Sequence, residues 1–284
     1  MQNRPFQQVD VFTTTPYRGN PVAVVLRGDG LSDEHMQAFA RWTNLSETTF
    51  VLEPTEPQAD YWLRIFTPGG EMQFAGHPTL GSCHAWLGAG GNPKSAEFVR
   101  QQCGVGLVRV RRAAGALSFA APPLQRTDVA PGLLARVASA LGLQAGHIRS
   151  AQLLDNGTAW LGLLLDSPQR VLQIRPDFAQ LKAIAHKVGV CAIYPDTQPG
   201  DEPVALEVRG FAPHMGIDED PVTGSLNASL AQWLLGDGHL GGDYTAAQGA
   251  CLQRAGRIAV HRDDSAQVWV GGHSVTCIAG SVSL

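Results

Sequence analysis

Three ionisable side chains stand where a proton could be moved. Glu47 lies in Leu45-Ser46-Glu47-Thr48-Thr49-Phe50-Val51-Leu52, an apolar, β-branched stretch that reads as the approach to a strand. A carboxylate in such a segment must be paired or shift its pKa, unless it simply faces solvent or caps the preceding turn. His77 opens a helix in Phe74-Ala75-Gly76-His77-Pro78-Thr79-Leu80-Gly81-Ser82, a place where histidine is a poor cap. There it would tend to be neutral and could donate a hydrogen bond to a carbonyl or carboxylate. Asp220, in Glu219-Asp220-Pro221-Val222-Thr223-Gly224-Ser225, suits an N-cap with Pro221 at the first helical position. It could equally hold a substrate amine or orient His77. A carboxylate base needs a partly desolvated setting and a neighbour that stabilises one of its protonation states, and these three residues could supply both. The other eight histidines read as surface or core. The sequence contains no His-x-x-x-His pair, Walker loop, dinucleotide fingerprint or Gly-x-Ser-x-Gly elbow, so metal-centred, nucleotide and serine-hydrolase chemistry have no motif behind them.

Two helices must position these groups. Pro221–Leu235 carries Leu226, Leu230, Trp233 and Leu234 at helical spacing, with Ala and Ser between, and stops at Gly236-Asp237-Gly238. Pro78–Ala89 has the same design. His77-Pro78 and Asp220-Pro221 share an offset of 143 with Gly81-Ser82 and Gly224-Ser225 (220 − 77 = 224 − 81). Phe66-Thr67-Pro68 echoes Phe211-Ala212-Pro213 with the offset slipped by two. A repeat at half the chain length implies two similar domains, each enclosing one helix. Two helix starts facing across a cleft would attract an anion.

The rest of the chain is strand-rich. Strands are expected at 6–12, 22–26, 61–66, 98–102, 106–110, 160–165, 190–194, 204–211, 257–260, 267–270 and 275–280. Ser32 caps a helix with Met36, Phe39, Ala40 and Trp42 on one face, and further helices fit 133–143 and 178–188. Ala121-Pro122-Pro123 is the most linker-like point. The expected domains are 1–121 and 122–284, with the final strand, about 275–284, free to return to the first. With 284 residues, 44% hydrophobic and 16% charged, the chain suits a compact α+β protein. A net charge of −4 gives no footprint for nucleic acid. Five scattered cysteines and no Cys-x-x-Cys argue against disulfides and structural zinc. With no apolar run of spanning length and no apolar signal region after Met1–Pro5, the expectation is a cytoplasmic protein.

Asp10-Val11-Phe12, Gly19-Asn20-Pro21-Val22-Ala23-Val24, Asn44–Phe50, Gly76–Gly81 and Glu219–Ser225 together resemble the ordered motif set of the PhzF (phenazine biosynthesis-like) family. The resemblance implies the diaminopimelate epimerase-like fold: two pseudo-symmetric domains, each a curved, mostly antiparallel sheet wrapped around a central helix. It implies a cofactor-independent isomerase or epimerase, without metal, working in an interdomain cleft on a small cyclic or amino acid carboxylate. By position, Glu47 matches the family's proton-shuttling acid/base, His77 and Asp220 its polar partners, and Gly76 and Ser225 substrate contacts. Asn20, Ser46, Thr223 and Gly224, in the same motifs, complete the expected substrate-binding set. A homodimer is the family habit. Relatives that racemise amino acids place a cysteine at each helix start. Here Gly76-His77 and Asp220 are expected there, and Cys83 and Cys251 are read as packing. The alternative function is a small-molecule binding protein on the same fold without turnover.

Overall fold

Alternating apolar and polar residues build the first strands, and their edge pairing gathers the chain into two parts. The computed structural model describes residues 2–113, 115–195 and 203–284. Two compact units result, Met1–Ala120 with Gly271–Leu284, and Ala121–Val270. Each combines helices with a mixed, mostly antiparallel sheet, so the fold is α+β.

The first unit opens with β1 (Asn3–Val11) and β2 (Asn20–Val25), an antiparallel pair. In α1 (Asp33–Thr43), Ser32 accepts the N–H of His35, and Asn44 ends the helix in the left-handed conformation. Met36, Phe39 and Ala40 bury its inner face. Trp42, expected beside them, is 80% exposed and stacks on Phe39, leaving its outer ring face in solvent. β3 (Thr48–Leu52) runs parallel to β2, and β4 (Tyr61–Thr67) antiparallel to β3. The far edge of β4 is shared. β5 (Gly70–Met72) folds back antiparallel on its end, while β6 (Phe98–Cys103) runs parallel along its start. Between β5 and β6 lies α2 (Gly76–Gly88), with nine of its 13 residues buried against β1, β2, β3, β4 and β8. A Cβ on Gly81 would come within 2.4 Å of Val22, so only glycine lets the helix sit this close to β2. β7 (Gly106–Ala113) and β8 (Ala116–Ala120) extend the sheet antiparallel.

In the second unit, β9 (Gln125–Asp128) and α3 (Pro131–Ala140) precede β10 (Ile148–Asp155) and β11 (Ala159–Leu165). β10 pairs antiparallel with both strands. After α4 (Pro168–Gln173) and α5 (Phe178–Ile184), β12 (Val188–Ile193) runs parallel to β11, and β13 (Val204–Ala212) antiparallel to β12. The expected 178–188 helix is shorter because Ala185 turns left-handed, freeing Val188 to begin a strand. β14 (Ile217–Asp220) folds back on the end of β13. α6 (Gly224–Gly236) follows, with ten of 13 residues buried. β15 (Tyr244–Gln248) then runs parallel along the start of β13, and β16 (Gly256–Arg262) pairs antiparallel with β15. Leu226 of α6 fills the space above Gly189 and Gly210, where added Cβ atoms would meet it at 2.3 and 3.1 Å. The opposite sheet face packs Leu161, Leu163 and Phe211 under Val137, Leu141 and Leu181. β17 (Val268–Gly272) returns the chain to the first unit, where β18 (Ser274–Ser283) pairs antiparallel with β1.

The two units repeat one topology. In each, a strand (β4, β13) shares an edge between a short returning strand and a parallel one, with the enclosed helix between those two in sequence. The helices match at an offset of 148 (224 − 76 = 236 − 88), whereas the preceding strand ends match at 145 (212 − 67). The 143-residue register of His77 with Asp220 is therefore not the structural one. Asp220 corresponds to Met72 (220 − 148), the last residue of β5. Asp220 is also not the N-cap and Pro221 not the first helical residue. Thr223 caps α6, while Asp220 pairs with Gly210 across the sheet as the end of β14. α2 likewise starts two residues before Pro78, from Ala75.

Candidate functional site

In the first unit, three residues from separate elements converge. Glu47 immediately precedes β3, His77 is the second residue of α2, and Asn20 begins β2. His77 Nε2 stands 3.4 Å from Glu47 Oε2, with side-chain exposures of 6% and 12%. On the other side of the ring, Asn20 Nδ2 stands 3.4 Å from His77 Nδ1, and Asn20 is 1% exposed. The imidazole thus has a polar neighbour at each nitrogen. Local structure fixes the three. The Gly19 N–H reaches Asp10 Oδ2 at 3.3 Å, and a Cβ on Gly19 would lie 2.2 Å from the Val11 carbonyl oxygen. The Glu47 carbonyl accepts the N–H of Ala23 at 3.4 Å, tying the segment to β2. Thr49, fully buried, bonds Ser82 of α2 at 2.8 Å and donates to the Ala23 carbonyl at 3.2 Å. Ser46 is half-buried beside Glu47, and Gly76 is buried at the first position of α2. No side chain caps that helix.

In the second unit the start of α6 is held by a different set. The Thr223 hydroxyl donates to Asp220 Oδ2 at 2.6 Å and accepts from Gln248 Nε2 at 2.9 Å. Gln248 Nε2 also donates to the Asp220 carbonyl at 3.0 Å, and its Oε1 accepts from Thr223 N and Asn227 Nδ2 at 3.0 and 2.9 Å. Gln248 and Asn227 are each 1% exposed. Gly224 is the buried first residue of α6. Ser225 follows it, its hydroxyl accepting from Trp160 Nε1 at 3.2 Å. Gln248 lies 28 residues beyond Asp220, and no local pattern announces a buried glutamine that grips a helix start.

The thiols have no such setting. Cys83 is buried beside Tyr61, and burial pushes its pKa up to about 12. Cys251, expected in packing, is exposed in a short turn, its Sγ 3.5 Å from the Leu172 carbonyl. Ala75 and Thr223, not cysteines, are the residues that cap α2 and α6. Among the described residues no three His, Cys, Asp or Glu side chains are grouped as a metal site requires, and no helix is long and apolar enough to cross a membrane.

The chain matches the phenazine biosynthesis-like protein family (PhzC-PhzF) over residues 9–280. It is 36% identical to the Schizosaccharomyces pombe protein called antisense-enhancing sequence 1, over 99% of both chains. A Pseudomonas aeruginosa protein called an uncharacterized isomerase is 35% identical over 98% of both. Among solved structures, a PhzF-family phenazine biosynthesis protein of Enterococcus faecalis superposes with a TM-score of 0.82 at 27% identity, covering both chains completely. A hydroxyproline epimerase of Agrobacterium vitis, solved with trans-4-hydroxy-L-proline bound, shares the fold. It superposes at a TM-score of 0.65 and 14% identity, over 99% of this chain and 93% of that one. A match across nearly the whole length, with relatives above 30% identity spanning it end to end, makes this protein an isomerase-type member of the phenazine biosynthesis-like (PhzC-PhzF) family.

Proposed function

We propose that the protein moves a proton between two carbons of a small cyclic or amino acid carboxylate, without a cofactor, using Glu47 as the acid/base. The observation that carries this reading is the nearly buried Glu47–His77 pair, 3.4 Å apart. A carboxylate removed from water and set against a hydrogen-bonding ring can accept a proton from carbon and return it. In the forward step a substrate C–H bond breaks and the proton goes to Glu47. The bonding pair forms a new double bond within the substrate. The displaced π pair then takes the proton back at a second carbon, so one hydrogen and one double bond have moved. Ser46 and Gly76 are proposed as substrate contacts. Gly76 suits a carboxylate because it opens a helix whose start has no side-chain cap. A small carboxylate is also what the distant hydroxyproline epimerase holds.

The test begins with a thermal-shift screen of carboxylate metabolites, which identifies ligands by stabilisation of the folded state. On a compound that is turned over, Glu47→Gln is expected to lower kcat about 10²–10⁴-fold while ligand stabilisation survives. Undiminished turnover would remove Glu47 from the reaction. Stabilisation by a ligand that yields no product would favour a binding protein instead.

A further inference from the structure

We propose that Asn20 is a positioning residue that selects the tautomer of His77, placing the imidazole proton on Nε2, the nitrogen that faces Glu47. The inference builds on the reading of Glu47 as proton shuttle. A neutral imidazole carries one N–H and one bare nitrogen, and the partner of either nitrogen decides which is which. Asn20 turns its amide nitrogen, a donor, toward Nδ1 at 3.4 Å. A donor needs a bare nitrogen opposite, so the proton belongs on Nε2. Nε2 faces Glu47 Oε2 at 3.4 Å, so a proton on that nitrogen meets an oxygen that can only accept. The other tautomer sets N–H against N–H at Nδ1 and lone pair against lone pair at Nε2. Both contacts, at 3.4 Å, are longer than an ordinary hydrogen bond, as catalytic contacts commonly are before substrate binds.

Asn20 is held for this task. It opens β2 opposite Val11 of β1, is 1% exposed, and follows the glycine that alone fits against the Val11 carbonyl. The proton leaving the substrate carbon is assigned to Glu47 and returns from it to the second carbon. His77 keeps its proton throughout. It aims the carboxylate and steadies its charged form, and it relays nothing.

The test uses the whole protein labelled with ¹⁵N-histidine and long-range ¹H–¹⁵N spectra at pH 7. The His77 ring is assigned by its loss in His77→Gln. In the unmodified protein, Nε2 is expected to be protonated and Nδ1 bare. Asn20→Asp puts an acceptor against Nδ1 and should move a proton onto that nitrogen. Asn20→Ala removes the selection, and the Nε2–H fraction should fall; it also serves if the buried carboxylate of Asn20→Asp prevents folding. A proton on Nδ1 in the unmodified protein overturns the inference. So does an Nε2–H tautomer that persists unchanged in the folded variants, the result a purely structural Asn20 would give. Failure here is separable from failure of the shuttle. Undiminished turnover in Glu47→Gln sinks the shuttle and leaves the tautomer intact, whereas a wrong tautomer leaves the Glu47→Gln result standing.

Discussion

The starts of α2 and α6 occupy the same place in two copies of one topology, yet they are furnished differently. At α2 the second residue is a histidine, against a carboxylate on one side and an amide on the other. At α6 the matching residue, 148 positions later, is Ser225, and the cap is a threonine clamped between Asp220 and Gln248 at 2.6 and 2.9 Å. The first arrangement is built on an imidazole ring. The second is a set of short hydrogen bonds among hydroxyl, amide and carboxylate groups. A duplicated scaffold thus supports one start that carries a titratable ring and one held by a threonine. Ser32, Ser167 and Asp177 cap α1, α4 and α5 with their side chains, while α2, α3 and α6 begin with none.

The comparison can be tested first at what the helices share. Leu80 of α2 and Leu226 of α6 are both fully buried. Leu80→Ala and Leu226→Ala should each cost about 2–5 kcal/mol in denaturant unfolding. A large loss for one and a negligible loss for the other would show that the two enclosed helices are not equivalent supports.

A smaller effect follows from the acid that the second unit keeps away from its helix start. Gly210 of β13 faces Leu226 of α6, so Glu207, an odd number of residues away, faces the other side of the sheet. It is 4% exposed, and burial raises its pKa to about 7, although Tyr194 donates to it at 2.9 Å and Arg257 and Arg209 lie near. Below its unfolded value of 4.5 the group is protonated folded or unfolded and costs nothing. Between 4.5 and about 7 the folded state holds the extra proton, so stability falls as pH rises, by about 3 kcal/mol in all. Glu207→Gln should flatten this part of the stability–pH curve. An unchanged slope would mean the acid is better solvated than its burial implies.

The smallest effect sharpens the contrast at α6 itself. Gln248→Leu strands the Thr223 N–H, at about 1–3 kcal/mol, while the Asn227 amide keeps the Thr223 carbonyl as an acceptor. Gln248→Glu keeps the acceptor and should lose less. Equal losses would indicate that packing, and not hydrogen bonding, explains the cost.

Much of this was legible in the sequence, for physical reasons that also mark where reading stops. Ser32 and Asn44 delimit α1 because caps are local chemistry. The enclosed helices announced themselves through small and apolar residues on every side. Glu47 and His77 stood out because a charge in an apolar segment and a histidine at a helix start both need explaining. Asp220 misled because Asp-Pro is a strong helix-start signal, and here a cross-strand pair with Gly210 overrides it. β5 and β14, at three and four residues, are too short to show alternation. Gln248 and the facing of Asn20 on His77 are contacts across 25 and 57 residues, which no local pattern encodes.

The pairing of β18 with β1 ties the two ends of the chain into one sheet. Residues 121–270, by contrast, form a continuous stretch that contains all of its own unit. On the ribosome the usual order, N-terminal part first, is therefore inverted. The second unit has all its strands before the first has both neighbours for β1. Until residues 271–284 have been made, β1 presents an unpaired edge of backbone donors and acceptors, a template for the wrong partner. The nascent chain is thus exposed to misassembly at β1 until β18, made more than 260 residues later, arrives.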